Sequence, residues 1–304
     1  MNEQRPKPSQ IISSSGDPLL GDKETGRSKE RKQENSEYVS VIVKRHDETF
    51  RHPDDILEKA IGEGKEQLDR PLVSLFLSAV AAGMILGFTV LAVAVMASLL
   101  PNMHEGLNRI IVATVYPLGF VLCILSRTQL FTEHTATAVY PVLDGKSNLK
   151  KLLRLWSVVI CGNLVGGLAS AGLLNAAEPV IHASKGYFLL AEHLLHFSGQ
   201  SLFVSSILAG WLMALGAWIV LSTYSTLSQI FSIYIVTFII GVGGLHHSIA
   251  GSIELFAALF SSDQIHFAQL PVVILTVLAG NLVGGSVFVA VLNYGHIRHS
   301  QRSS

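Results

Sequence analysis

Cys161-Gly162-Asn163-Leu164-Val165-Gly166-Gly167 and Ala279-Gly280-Asn281-Leu282-Val283-Gly284-Gly285 agree at six of seven positions, at a register offset of 118 residues. Each copy lies in an apolar run, 152–174 and 270–292, long enough to cross the ~30 Å hydrocarbon layer, which takes roughly 20 residues of helix. Working outward, two further runs precede each copy: 71–100 and 107–143 before the first, 201–221 and 231–260 before the second. Runs 107–143 and 231–260 are too long for one crossing and carry polar interruptions at 127–137 and 241–252, so the middle member of each triplet is predicted to be a broken helix. A triplet crosses an odd number of times, so the second must be inserted upside down relative to the first, about an axis in the membrane plane. The sequence therefore predicts an all-α membrane protein with six transmembrane helices in two inverted three-helix repeats.

Composition agrees with that reading. Of 304 residues 49% are hydrophobic and 14% charged, with a mean hydropathy of +0.45, too apolar for an ordinary soluble domain. Residues 1–70 hold 13 of the 22 Lys+Arg and 15 of the 22 Asp+Glu, so a zero net charge hides two unlike regions. Residues 1–52 read as a disordered charged tail, 53–70 as an amphipathic surface helix, 71–295 as the six-helix membrane domain and 296–304 as a second short tail. The first residues lack the apolar stretch of a cleavable signal peptide. Lys146, Lys150, Lys151, Arg154, Arg298 and Arg302 fall on one side, with Arg109 and Lys185 on the other, which places both termini in the cytoplasm. Cys123 and Cys161 lie in separate apolar runs and suggest neither a disulfide framework nor a zinc site. No basic stripe with interleaved aromatics speaks for nucleic acid. No metal cluster, nucleophile triad or phosphate loop speaks for an enzyme, and no cofactor is expected.

Unsatisfied backbone groups cost several kcal/mol in hydrocarbon, so the interruptions must face protein or a wet cavity. The first reads Arg127-Thr128-Gln129-Leu130-Phe131-Thr132-Glu133-His134-Thr135; its alternative is a polar connection at the membrane surface. The second places His246, His247 and Ser248 among glycines, with Glu254 a few residues on as a proton partner or vestibule residue. A histidine at membrane depth titrates near neutrality and can exchange a proton with a weak acid; alternatively it fixes helix packing through a backbone carbonyl. Asn163 and Asn281 read first as amides that satisfy carbonyls freed by the breaks, and second as donors to a passing anion.

At these residues the chain resembles the formate/nitrite transporter family. The likeness covers about residues 55–295 and rests on Leu130-Phe131-Thr132, the two Gly-Asn-Leu-Val-Gly-Gly segments and His246-His247-Ser248-Ile249-Ala250, in that order. Leu130-Phe131-Thr132-Glu133 and Gly251-Ser252-Ile253-Glu254 are most similar to the YfdC-like bacterial inner-membrane branch. The resemblance implies a homopentamer of aquaporin-like protomers in the lipid bilayer, each with its own pore for a small monovalent anion such as formate or nitrite. It implies His247 as the central pore histidine and Thr132 as the threonine facing it. Leu130, Phe131, Tyr116, Phe120 and Ile240 would form the apolar constrictions, and Arg154 would stand for a vestibule lysine. The chain departs from the family's frequent Glu-His-Ser-Ile-Ala-Asn in having His246 and Gly251 at its ends.

A bare anion cannot cheaply pass an apolar constriction, whereas its protonated acid can. The expected function is thus passage of small weak-acid anions, drawn in by Arg154 and positive helix ends and protonated near His247. The competing reading is a non-conducting membrane scaffold or sensor whose N-terminal tail is the working surface; a water or glycerol facilitator lacks its paired Asn-Pro-Ala boxes.

Overall fold

The computed structural model describes residues 52–100 and 104–303, so the expected disordered tail lies outside the described residues. Helix α1 (Pro53–Asp69) starts where Pro53 presets the first turn, the His52 ring accepts the Asp54 N–H, and Asp54 and Asp55 meet the positive helix end. Its apolar face of Ile56, Leu57, Ala60, Ile61 and Leu68 is buried.

The first triplet follows. It comprises α2 (Leu72–Leu99), a second crossing divided into α3 (Glu105–Val115), α4 (Pro117–Leu125), α5 (Phe131–Thr137) and α6 (Tyr140–Leu143), and α7 (Leu149–Ala176). Short α8 (Glu178–Ile181) and α9 (Ser184–His196) then lead to the second triplet: α10 (Gly199–Ser222), α11 (Thr226–Gly243) with α12 (Ser248–Ser261), and α13 (Leu270–Gly285). A π-helical stretch, Ser286–Val291, carries α13 into α14 (Leu292–Ser303). Among the described residues six stretches are long and apolar enough to cross a membrane: Leu72–Leu99, Gly106–Leu125, Leu149–Ala176, Gly199–Ser222, Thr226–Gly243 and Phe267–His299. Large apolar side chains such as Leu72, Val73, Leu77, Phe88, Leu153 and Leu275 stay exposed on their outward faces, as lipid or a neighbouring subunit requires.

The core is laid down twice. In each half the first and third helices, α2 with α7 and α10 with α13, make the most extensive packing. A β-carbon on Gly162 would lie 2.5 Å from Ala79 Cβ and 3.0 Å from the Phe76 carbonyl; one on Gly280 would lie 2.5 Å from Ser206 Cβ and 2.8 Å from the Phe203 carbonyl. The segments after the breaks cross over: α5 packs against α10 and α13 of the other half, and α12 against α2 and α7. Gly167 seats Ile253 and Gly285 seats Thr135, so each half houses the other's short helix.

Candidate functional site

Both interruptions are built the same way. The chain leaves α4 through Arg127 at φ +54° and leaves α11 through Gly244 at φ +60°, the left-handed turn that ends a helix. The next short helix then starts on an asparagine. The Phe131 N–H donates to Asn163 Oδ1 at 2.9 Å, and Asn163 Nδ2 donates to the Ala79 and Gln129 carbonyls, both at 2.8 Å. In the second half the Ser248 N–H donates to Asn281 Oδ1 at 2.8 Å, and Asn281 Nδ2 donates to the Ser206 carbonyl at 2.7 Å and the His246 carbonyl at 3.0 Å. Each amide is fully buried with both of its N–H groups committed to backbone, which leaves none for a passing anion.

The two breaks meet at His247 and Thr132. His247 Nε2 lies 2.8 Å from Thr132 Oγ1, while its Nδ1 accepts the Ala250 N–H at 3.2 Å and so caps α12. A nitrogen that accepts cannot carry the proton, so the neutral ring bears its hydrogen on Nε2, pointed at the threonine. Phe120 meets the imidazole edge-on at 4.9 Å between ring centres, and Tyr116 lies 5.2 Å beyond Phe120. Leu130, Phe131, Phe120, Tyr116 and Ile240 are all buried. Beside the imidazole is a narrow crevice, too tight to admit a water molecule, lined by Leu194, Ser248, Gly251, Ser252 and Leu255.

The remaining sequence-derived candidates are dispersed. Arg154 donates through Nη2 to the Leu68 carbonyl at 2.7 Å and the Arg70 carbonyl at 3.2 Å, so its charge sits at the negative end of α1. Glu133 is half-buried on α5, within electrostatic reach of Glu63 and Arg127. Glu254, half-buried on α12, is within reach of Tyr116. Ser248 has a buried hydroxyl without a side-chain partner among the described residues, and His246 bonds Ser205.

Sequence reasoning missed the carbonyls of Ala79 and Ser206 and the glycines beside them. A signal was present: Leu75-Phe76-Leu77-Ser78-Ala79-Val80-Ala81-Ala82-Gly83 and Leu202-Phe203-Val204-Ser205-Ser206-Ile207-Leu208-Ala209-Gly210 agree at five of nine positions, at an offset of 127. Side chains at Gly83 and Gly210 would strike the Asn163 and Asn281 backbones.

The same chain from residue 54 to 295 matches the formate/nitrite transporter family. The chain belongs to that family. The inner membrane protein YfdC of Escherichia coli (strain K12) is 30% identical over 245 residues, covering 78% of this chain and 76% of the relative. Among solved structures, an FNT family ion channel superposes with a TM-score of 0.73 at 20% identity, over 80% of this chain and 99% of that one. A pentameric formate channel with formate bound gives a TM-score of 0.66 at 22% identity, over 75% and 98%. This formate/nitrite transporter family member is thus a multi-pass membrane protein, from a family of transporters and not of enzymes.

Proposed function

We propose that the chain is a channel for small monovalent weak-acid anions of the formate and nitrite class. It would work as a homopentamer in the bacterial inner membrane with both termini cytoplasmic. The observation that carries this reading is the Thr132–His247 pair, the polar contact between the two breaks, set among Phe120, Leu130 and Phe131. Moving an isolated carboxylate into such apolar surroundings costs far more than moving the neutral acid. The positive end of α12 and the Nε2 hydrogen of His247 favour an approaching anion without themselves being anions. The acid then crosses neutral and gives up its proton on the far side. Because Nδ1 is engaged by the Ala250 N–H, protons reach the anion along the Nε2–Thr132 side or from outside the pair. That the relatives include a formate channel supports the substrate class.

Uptake of labelled formate into proteoliposomes tests it. The wild-type rate should rise as external pH falls, and Thr132→Ala and His247→Ala should each lower it at least about tenfold, in the range expected for loss of a proton-handling group. Equal rates in all three proteins from pH 5 to 7.5 would overturn the proposal.

A further inference from the structure

Both nitrogens of His247 are engaged, but only one of its neighbour's is. His246 is 7% exposed; its Nδ1 lies 2.7 Å from Ser205 Oγ, and its Nε2 is buried with no partner among the described residues. An unmet buried polar atom costs about 1–3 kcal/mol, so it calls for a reason. The ring does not stand alone. His193 of α9 stacks on it, nearly parallel at 16° with centres 6.0 Å apart, and Phe197 closes edge-on at 5.4 Å from His246 and 5.2 Å from His193. His193 is exposed and carries its Nε2 close beside Gly244, the left-handed residue that opens the second break. Two imidazoles thus step inward from the protein surface to the residue next to His247.

The charges around this ladder are those an anion would meet with favour. A β-carbon at Gly244 would lie 2.9 Å from Arg109 Nη2 and 3.5 Å from His193 Nε2. Arg109 of α3 and His193 and His196 of α9 are the charged or titratable groups whose fields reach the pair, while α10 contributes the uncharged Ser205. Desolvation, then Arg109 and then His196, hold the His193 imidazole below its ordinary value, so at neutral pH it is a neutral ring that gives up a proton readily once it has taken one. Two stacked imidazoles beside an arginine hold one proton between them far more readily than two.

We propose that His246, served by His193, is a second proton-exchange site on the outer side of the His247–Thr132 pair. It loads the incoming weak-acid anion before that pair is reached. In the step the N–H bond of a protonated His246 breaks, its electron pair stays on the ring, and an O–H bond forms on the anion; His246 is then reloaded from hydronium in the outer water by way of His193. The inference rests on the weak-acid channel proposed above.

The test is labelled formate uptake by full-length protein in proteoliposomes, with external pH varied at fixed internal pH, for wild type, His246→Gln and His193→Gln. His246→Gln should slow uptake roughly tenfold or more at external pH 7, as loss of a general acid does, and recover to within about twofold of wild type at the most acidic pH, where the anion arrives already protonated. His193→Gln should show the same convergence with a smaller deficit. A role confined to packing would lower the rate by one factor at every pH, and that result, or a profile superimposable on wild type, overturns the inference. Should His246→Gln fail to assemble, His193→Gln on the exposed helix carries the same test. Loss of pH response in Thr132→Ala with none in the two histidine variants sinks this site alone; a wild type that carries no formate sinks the channel reading with it.

Discussion

His247 does two jobs with one ring, and they can be separated. Through Nδ1 it caps α12, and through Nε2 it faces Thr132. Asparagine is a good capping residue but has no imidazole, so His247→Asn should keep the thermal midpoint close to wild type while lowering the rate of transport at neutral pH. His247→Ala should in addition lose roughly 1 kcal/mol of stability, the usual worth of a cap. The repeat supplies a second residue-scale contrast. Arg127 and Gly244 hold matching left-handed positions, yet only one is glycine. Arg127→Gly should therefore stabilise by up to about 1 kcal/mol, whereas Gly244→Ala, whose β-carbon would also press on Arg109, should cost roughly 1–2 kcal/mol. Thermal unfolding of the detergent-solubilised protein reads both signs. Of these features the two asparagines and the pair His246-His247 were legible in the sequence, because a polar residue stands out in an apolar run, while the choice of His247 over His246 came from the family resemblance. The capping nitrogen, the left-handed arginine and the carbonyls of Ala79 and Ser206 were not, because backbone partners leave no mark on residue type.

At the scale of elements, α1 shows what an amphipathic pattern leaves open. The apolar face is buried against α5, α6, α7 and α10, with Gly64 against the Thr137 carbonyl and Pro141. Charges pin both ends. Arg298 donates to Glu58 and Asp144, both at 2.7 Å, Lys146 pairs with Asp144 at 2.8 Å, and the Tyr294 hydroxyl donates to Asp144 at 3.1 Å. At the other end Lys151 pairs with Asp69 while Arg154 holds the last carbonyls. Desolvation alone would raise the Asp144 carboxyl, but its bonds to Lys146 and Arg298 outweigh it and bring it below the ordinary carboxylate range. A group lowered in the folded state stabilises above its unfolded value and loses that contribution as pH falls through the folded one. Asp144→Asn should thus cost about 1–2 kcal/mol at pH 7, with the gap to wild type closing as pH falls below the ordinary carboxylate range. Thermal midpoints across pH decide it. The exposed Asp69–Lys151 pair should contribute less than about 1 kcal/mol and weaken in salt.

For the whole molecule, the six crossings and their two-triplet order followed from hydrophobic run length and one repeated heptapeptide. The full extent of the duplication did not. The first helices repeat at an offset of 127 and the third helices at 118, so no single shift of the chain against itself aligns both pairs, and the weaker match stays hidden. Assembly is likewise a matter of surfaces that one chain's hydropathy treats as lipid-facing. The exposed Leu72, Val73, Leu77 and Phe88 are equally suited to a neighbouring subunit, and native mass measurement of the purified protein should find five copies. The lodging of each short helix in the opposite half has a further consequence, for biogenesis. As the chain leaves the ribosome, Thr135 is inserted long before Gly285, its eventual seat, has been made, so the first broken arm waits unhoused until synthesis is nearly over. Neither half should therefore mature alone. A gene cut between α9 and α10 should yield two fragments that are degraded singly and rescued when co-expressed, and a single-triplet ancestor could have worked only by inserting its copies both ways up.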